Sequence, residues 1–432
     1  MFRLFNILFT TISILLLSYV LYKSEVVWKG NAREYYFIYY IISIILVTLS
    51  ASFFFINKIL RTYIFIIFLS VVSTLYLFEA YLNFPYAKYA DVRDKIKLYK
   101  KEGKNFDTRT IREIYNELKK DDINTSVKVS PLRSVKIKDK GIQPLSGVSN
   151  SKTIYANENG YFFIYNSDRY GFNNPDYEWD SEEIEYLLIG DSFAHGAAVN
   201  KPDDIASQLR KFSSKSVITL GYSANGPLLE YASLREYGYK NVKKIIWIFC
   251  DNDIPGLGYE LKSEILLKYL EDLNFTQNLK SRQEEVDELA RKIIKNKKFD
   301  DNTFNLLRFL KLIKIRGQIL NNKIEENYSL KNPATFIEVI TLAKEYAKKN
   351  NSEFHFVYLP YKKFFDDKYD ENIYLSVKEI IKNLNVNFID INEVFNKEDN
   401  PQDLFPFKKY GHYNVDGYHK VSKEIFIRTT EK

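Results

Sequence analysis

"YLLIGDSFAHGAAVN", residues 186–200, decides how this chain is read. An apolar run, Tyr186 to Ile189, stops at Gly190-Asp191-Ser192, and a helical stretch opens directly after it. A serine where a buried strand meets a turn is either the cap of the next helix or a nucleophile presented at a sheet edge. The rest of the sequence has to separate these two roles.

Working outward, short apolar runs recur at 185–190, 216–220, 244–250, 353–359 and 386–391, with helical stretches such as 205–212 and 228–237 between them. Buried strands alternating with helices predict a parallel sheet covered on both faces. Ligand sites in such sheets form at the carboxyl ends of the strands. Both "GDS" and "CDND", Cys250 to Asp253, fall there. One insert, 255–331, interrupts the rhythm and is helical by pattern at 284–298 and 304–320. It follows "CDND" directly, so it reads as a lid over the same edge, a solvated excursion or an oligomer contact.

Upstream, residues 4–22, 35–56 and 62–82 are apolar on every side. Each has the length of a helix crossing a hydrocarbon core of roughly 30 Å. No small-residue cleavage site follows the first, and two more spans do, so an uncleaved three-span anchor is expected over 1–84. Lys23, Lys29 and Arg33 in one loop nearly balance Lys58 and Arg61 in the other. Arg3 tips the preference toward a cytoplasmic N-terminus and an extracytoplasmic C-terminal part. Residues 85–180 read as a lead-in, with a charged helix over 87–120 and an irregular linker over 121–150. An aromatic, turn-rich stretch follows over 160–179. Residues 181–432 form the sheet-bearing domain.

Composition narrows the function classes. The chain has 432 residues, 46% of them hydrophobic, and a formal net charge of +7. Its Lys and Arg are interspersed with Asp and Glu, which argues against a nucleic-acid surface. The abundance of Tyr, Phe, Ile, Lys and Asn resembles the codon bias of an AT-rich genome, so aromatic richness is weak support for a stacking platform. One cysteine, Cys250, excludes an intramolecular disulfide. With four histidines and one cysteine, no metal or cofactor is expected. No phosphate-binding glycine motif follows a strand, which disfavours a nucleotide-binding domain.

Four pieces converge on one rim of the predicted sheet: Gly190-Asp191-Ser192, the turn "TLGYSANGP" (Thr219 to Pro227), Asn252 in "CDND", and "GHYNVDGYHKVSKEI" (Gly411 to Ile425). In this order they resemble the SGNH (GDSL-like) hydrolase superfamily from residue 185 to the C-terminus. The resemblance implies a three-layer α/β/α, flavodoxin-like domain with a parallel sheet. Here that domain carries a helical insert and N-terminal transmembrane helices. It makes Ser192 the nucleophile and places Ser192 N–H, Ala224 N–H and the Asn252 amide around an oxyanion. Ala224 stands where the family has glycine, and can serve if its φ is negative. Gly221 is the alternative. His412 matches the histidine before the last helix, with Asn414 as N-cap, whereas "DGYH" offers Asp416 and His419 at the literal Asp-x-x-His spacing. His412 is preferred. Lys409 then stands where the triad acid belongs, leaving Asp403 as a candidate acid, or a Ser–His dyad.

The other histidines have blander readings. His195 is expected to pack or face solvent, and His355 to be a satisfied strand residue. Cys250 should be buried, and Asp191 and Asp253 should brace loops. The resemblance implies an esterase or O-acyltransferase acting through an acyl-serine on a small molecule or glycan, beside the lipid bilayer. A catalytically inactive scaffold module is the competing reading, supported by the missing acid.

Overall fold

A computed structural model describes residues 2–27, 30, 33–83, 90–101, 103, 105–131, 141–296, 306–324, 333–366, 369–408 and 411–430. Lys409 and parts of the lead-in and insert readings (84–89, 132–140, 297–305 and 325–332) lie outside the described residues. The chain divides into two compact units, residues 1–87 with 305–319, and residues 88–304 with 320–432.

The first unit holds three helices, Phe2–Leu21, Arg33–Ser52 and Lys58–Asn83. All three are long and apolar enough to cross a membrane.

In the second unit, five strands form one sheet: β4 (Ile184–Gly190), β5 (Val217–Thr219), β6 (Val242–Cys250), β7 (Glu353–Leu359) and β8 (Asn387–Asp390). Their order is β5-β4-β6-β7-β8, with every pairing parallel. Side chains alternate along each strand. Leu187, Ile189, Ile245, Trp247 and Phe249 enter one core, and Tyr186, Leu188, Ile246, Ile248 and Cys250 enter the other. Helices Pro227–Tyr237, Pro333–Lys349 and Asn372–Asn383 cover the first face. Helices Ile205–Ser213 and Val415–Thr430 cover the second. The result is a three-layer α/β/α unit. The chain reverses its order of addition at β4, which opens a crevice at that strand's carboxyl end.

The lead-in is more ordered than its sequence suggests. It carries two helices, Ala90–Lys101 and Ile111–Asp121, instead of one. A separate three-stranded sheet follows, built from β1 (Ser126–Val127), β2 (Lys152–Asn157) and β3 (Phe162–Asn166). β1 is two residues long, too short to show any periodicity in sequence.

The insert also divides. Helices Ile254–Glu260, Glu264–Glu271 and Gln283–Asn296 pack into the sheet-bearing unit. Residues 305–319 group instead with the three apolar helices.

Candidate active site

Ser192 opens a single helical turn directly after β4. Gly190 makes this junction possible. Its φ is +148°, and a Cβ there would lie 2.4 Å from the Ile248 carbonyl oxygen on β6. Asp191 caps the turn by accepting the Phe193 N–H at 2.8 Å. The cap is therefore Asp191, which leaves the Ser192 hydroxyl for other partners.

Those partners define the site. Ser192 Oγ lies 2.8 Å from His412 Nε2 and 2.9 Å from Asp191 Oδ2. The far side of the imidazole, Nδ1, lies 2.8 and 2.9 Å from the two oxygens of Glu158. A carboxyl, an imidazole and a hydroxyl thus stand in line, the arrangement by which a buried acid orients a base against a nucleophile. The hydroxyl's one proton can go either to His412 or to Asp191. Only the first alignment readies the oxygen for attack.

Glu158 was missed in sequence, and Asp403 is corrected as the candidate acid. Asp403 pairs with Lys408, while His412 Nδ1 is bonded to Glu158. Glu158 lies in the turn between β2 and β3, ahead of the nucleophile in the chain instead of beside the late histidine. The turn is pinned by Asn157 Nδ2 donating to the Asp107 carbonyl at 2.9 Å and Asn159 Nδ2 to the Ala198 carbonyl at 2.7 Å. Ile164 N–H also donates to Asn200 Oδ1 at 3.1 Å. A usable signal was present: "NENG" between two aromatic, β-branched runs is a hairpin pattern, and Glu158 is the acid in that turn.

His412 sits just ahead of the last helix, where Asn414 Oδ1 caps by accepting the Gly417 N–H at 3.0 Å. His419 lies inside that helix, exposed, with Nδ1 2.8 Å from Gln208 Oε1. Asp416 is exposed on the same helix. Neither belongs to the Ser192 cluster.

Asn252 follows β6, and its Nδ2 donates to Asp191 Oδ2 at 2.8 Å. That bond uses one amide hydrogen and leaves the second for a ligand. The condition for Ala224 to serve, a negative φ, is not met. Its φ is +63°, a left-handed conformation that costs an alanine about 1 kcal/mol. Ala224 is exposed, and its N–H makes no hydrogen bond to the described residues. Gly221 is excluded as the alternative, because its N–H donates to Thr219 Oγ1 at 3.0 Å and a Cβ there would meet Ala194 Cβ at 2.4 Å.

The turn holding Ala224 is tied to the Asn252 block from below. Glu260, fully buried, accepts the Gly226 N–H at 2.6 Å and the Leu228 N–H at 3.0 Å. Burial pushes the Glu260 carboxyl up to about 7, against the pull of those backbone donors.

The remaining candidates behave as packing or bracing groups. His195 is buried among Tyr155, Tyr165, Phe163 and Tyr222, with neither ring nitrogen bonded among the described residues. Burial holds it well below the ordinary histidine value, so it stays neutral. His355 bonds Glu353 at 3.1 Å. Cys250 is buried. Asp253 accepts the Cys250 N–H at 3.0 Å. Among the described residues, no group of three or more His, Cys, Asp or Glu is placed to hold a metal ion.

Electrostatics favour a basic His412. Burial alone would lower its pKa, but the charge and hydrogen bond of Glu158, with Asp191 nearby, outweigh burial and raise it above 6.5. Burial likewise would raise Glu158, but His412 and then Lys128 hold it below its ordinary value. A histidine must be neutral to accept the serine proton. Ester turnover should therefore rise with pH along a limb whose midpoint in kcat/KM lies above 6.5, the unperturbed histidine value. A pH–rate profile on a neutral ester measures it, and a limb at or below 6.5 would contradict the Glu158–His412 pairing.

No family model matches the chain, and no curated protein matches it in sequence. Solved structures do resemble it over part of its length. A protein assigned to the G-D-S-L lipolytic family from Desulfitobacterium hafniense DCB-2 is 13% identical and covers 57% of this chain and 99% of its own, at a TM-score of 0.34. Axe2, an acetylxylan esterase from Geobacillus stearothermophilus, is 14% identical, covering 58% and 96%, at 0.32. The psychrotrophic esterase EstA from Pseudoalteromonas sp. is 9% identical, covering 57% and 97%, at 0.29. At these identities and scores the likeness is one of outline, and what the site can do follows from its own geometry.

Proposed function

We propose that the protein is a membrane-anchored serine esterase of SGNH type, which cleaves or transfers an acyl group through an acyl-Ser192 intermediate. The observation that carries this reading is the line Glu158–His412–Ser192, with both imidazole nitrogens at hydrogen-bond distance from their partners. His412 removes the hydroxyl proton as Ser192 Oγ attacks the ester carbonyl, and Glu158 steadies the resulting imidazolium. The oxyanion is met by Ser192 N–H and the free hydrogen of the Asn252 amide. His412 then gives its proton to the leaving alcohol. Water, or an acceptor hydroxyl in a transferase, attacks the acyl-serine and restores the hydroxyl.

The acyl carrier in this proposal is a small molecule or an envelope glycan, handled on the extracytoplasmic side. A cavity of about 650 Å³ lined by Asn159, Tyr161, Phe407 and Asn414, close in sequence to Glu158 and His412, offers aromatic and amide surface for such a group. The inactive-scaffold reading drew on a missing acid. Glu158 fills that role, so the reading loses its motive.

A fluorophosphonate probe tests the proposal in the full chain. Covalent labelling should map to Ser192 by peptide mass and be absent from Ser192→Ala. A folded wild-type protein that neither reacts with the probe nor hydrolyses p-nitrophenyl acetate would overturn it.

A further inference from the structure

The first unit contains a feature that three spans alone do not need. Glu79, near the end of the third apolar helix, is 1% exposed. Its two oxygens accept the backbone N–H groups of Lys314 and Ile315, each at 3.0 Å. Those are free donors in the first turn of helix Ile313–Ile324. Two more bonds fix the same segment. Tyr76 OH donates to the Leu310 carbonyl at 2.9 Å, and Arg316 Nε donates to Tyr39 OH at 2.9 Å, its guanidinium 4.9 Å from the Tyr39 ring centre. A stretch from the distant insert is thereby seated on the second and third apolar helices.

Its outward surface is unusual for water. Leu306, Leu307 and Leu310 are 58%, 68% and 51% exposed. The segment packs on the third helix, with the Phe309 and Tyr76 ring centres 5.4 Å apart, and there Leu77 is 72% and Phe78 46% exposed. Arg308, Lys311 and Lys314 alternate with these leucines and are exposed as well. An apolar stripe edged by cations is the pattern of a segment lying in a membrane interface. The bonds to buried Glu79 satisfy backbone groups that hydrocarbon would leave stranded.

We propose that residues 306–316 are an interfacial membrane segment. Leu306, Leu307 and Leu310 enter the acyl-chain boundary of the bilayer that the three helices cross, and the neighbouring cations meet lipid headgroups. The occupant of this surface is lipid, on the ground that the segment is seated on a helix long and apolar enough to cross a membrane and exposes leucines edged by cations.

Cys250, the one native cysteine, is fully buried, so single-site labelling is practical. Full-length Leu307→Cys, carrying an environment-sensitive fluorophore, is reconstituted in phosphatidylcholine–phosphatidylglycerol vesicles. Leu77→Cys serves as the bilayer reference and Ile123→Cys, 80% exposed in the other unit, as the aqueous reference. The label at 307 should emit to the blue and be quenched by chain-brominated lipid at a depth of about 5–10 Å. Quenching at 77 should be as strong, and the label at 123 should escape it. Aqueous emission at 307 would overturn the proposal. So would blue emission insensitive to brominated lipid, which would mean a protein partner, and so would absence of quenching at 77. The esterase assay does not enter this test, so its outcome is independent of the reading of the active site.

Discussion

Substituting His412 by alanine is expected to lower kcat on a short-chain p-nitrophenyl ester by about a millionfold, the loss seen when the base of a serine relay is removed. The hydroxyl of Ser192 would keep only Asp191 as its polar partner. Substituting His419 by alanine should leave kcat within about twofold, since exposed side chains away from the chemistry contribute little. His419 touches Gln208 and the Phe212 ring, and neither belongs to the site. Steady-state kinetics on the two purified variants check the pair. The reverse ranking would mean that the wrong late histidine has been placed against the nucleophile.

Glu158→Gln is the second large effect. The amide keeps the size of the side chain but loses the charge that raises the His412 pKa. A glutamine can also donate to Nδ1 and hold the ring in the tautomer that presents N–H to Ser192, the wrong one for a base. A drop in kcat of about 10⁴-fold is expected at neutral pH, as when a triad aspartate becomes asparagine. Thermal unfolding should change little, because the amide keeps the size of the side chain and can still bond Nδ1. Equal turnover by wild type and variant would show that a Ser–His dyad is sufficient. The same change at Asp403 should have no such effect, since that carboxyl pairs with Lys408.

What was legible follows from how local each signal is. Ser192 could be read because a strand, a turn and a helix meet within a few residues. Asn252 was equally local, at the end of β6. The choice of His412 over His419 rested on Asn414 as a cap, a signal three residues wide. Glu158 was different. Its partner lies 254 residues away in the chain, and a short aromatic hairpin carries it, so no spacing rule connects the two. The insert failed for a related reason. Periodicity shows that a segment is helical and which face is apolar, but not what that face will meet. Helix Ile254–Glu260 stays under the turn that holds Ala224, while Leu306 to Arg316 joins the three apolar helices. Ala224 shows a third limit: a backbone conformation forced by its neighbours overrode the residue's own preference.

The hairpin that carries Glu158 has a consequence in time. A ribosome makes Glu158 first, Ser192 next and His412 another 220 residues later. A nascent chain that has not reached residue 412 holds at most two of the three, so the relay cannot form before that point. The site is complete only when the segment carrying the imidazole sits between the other two groups.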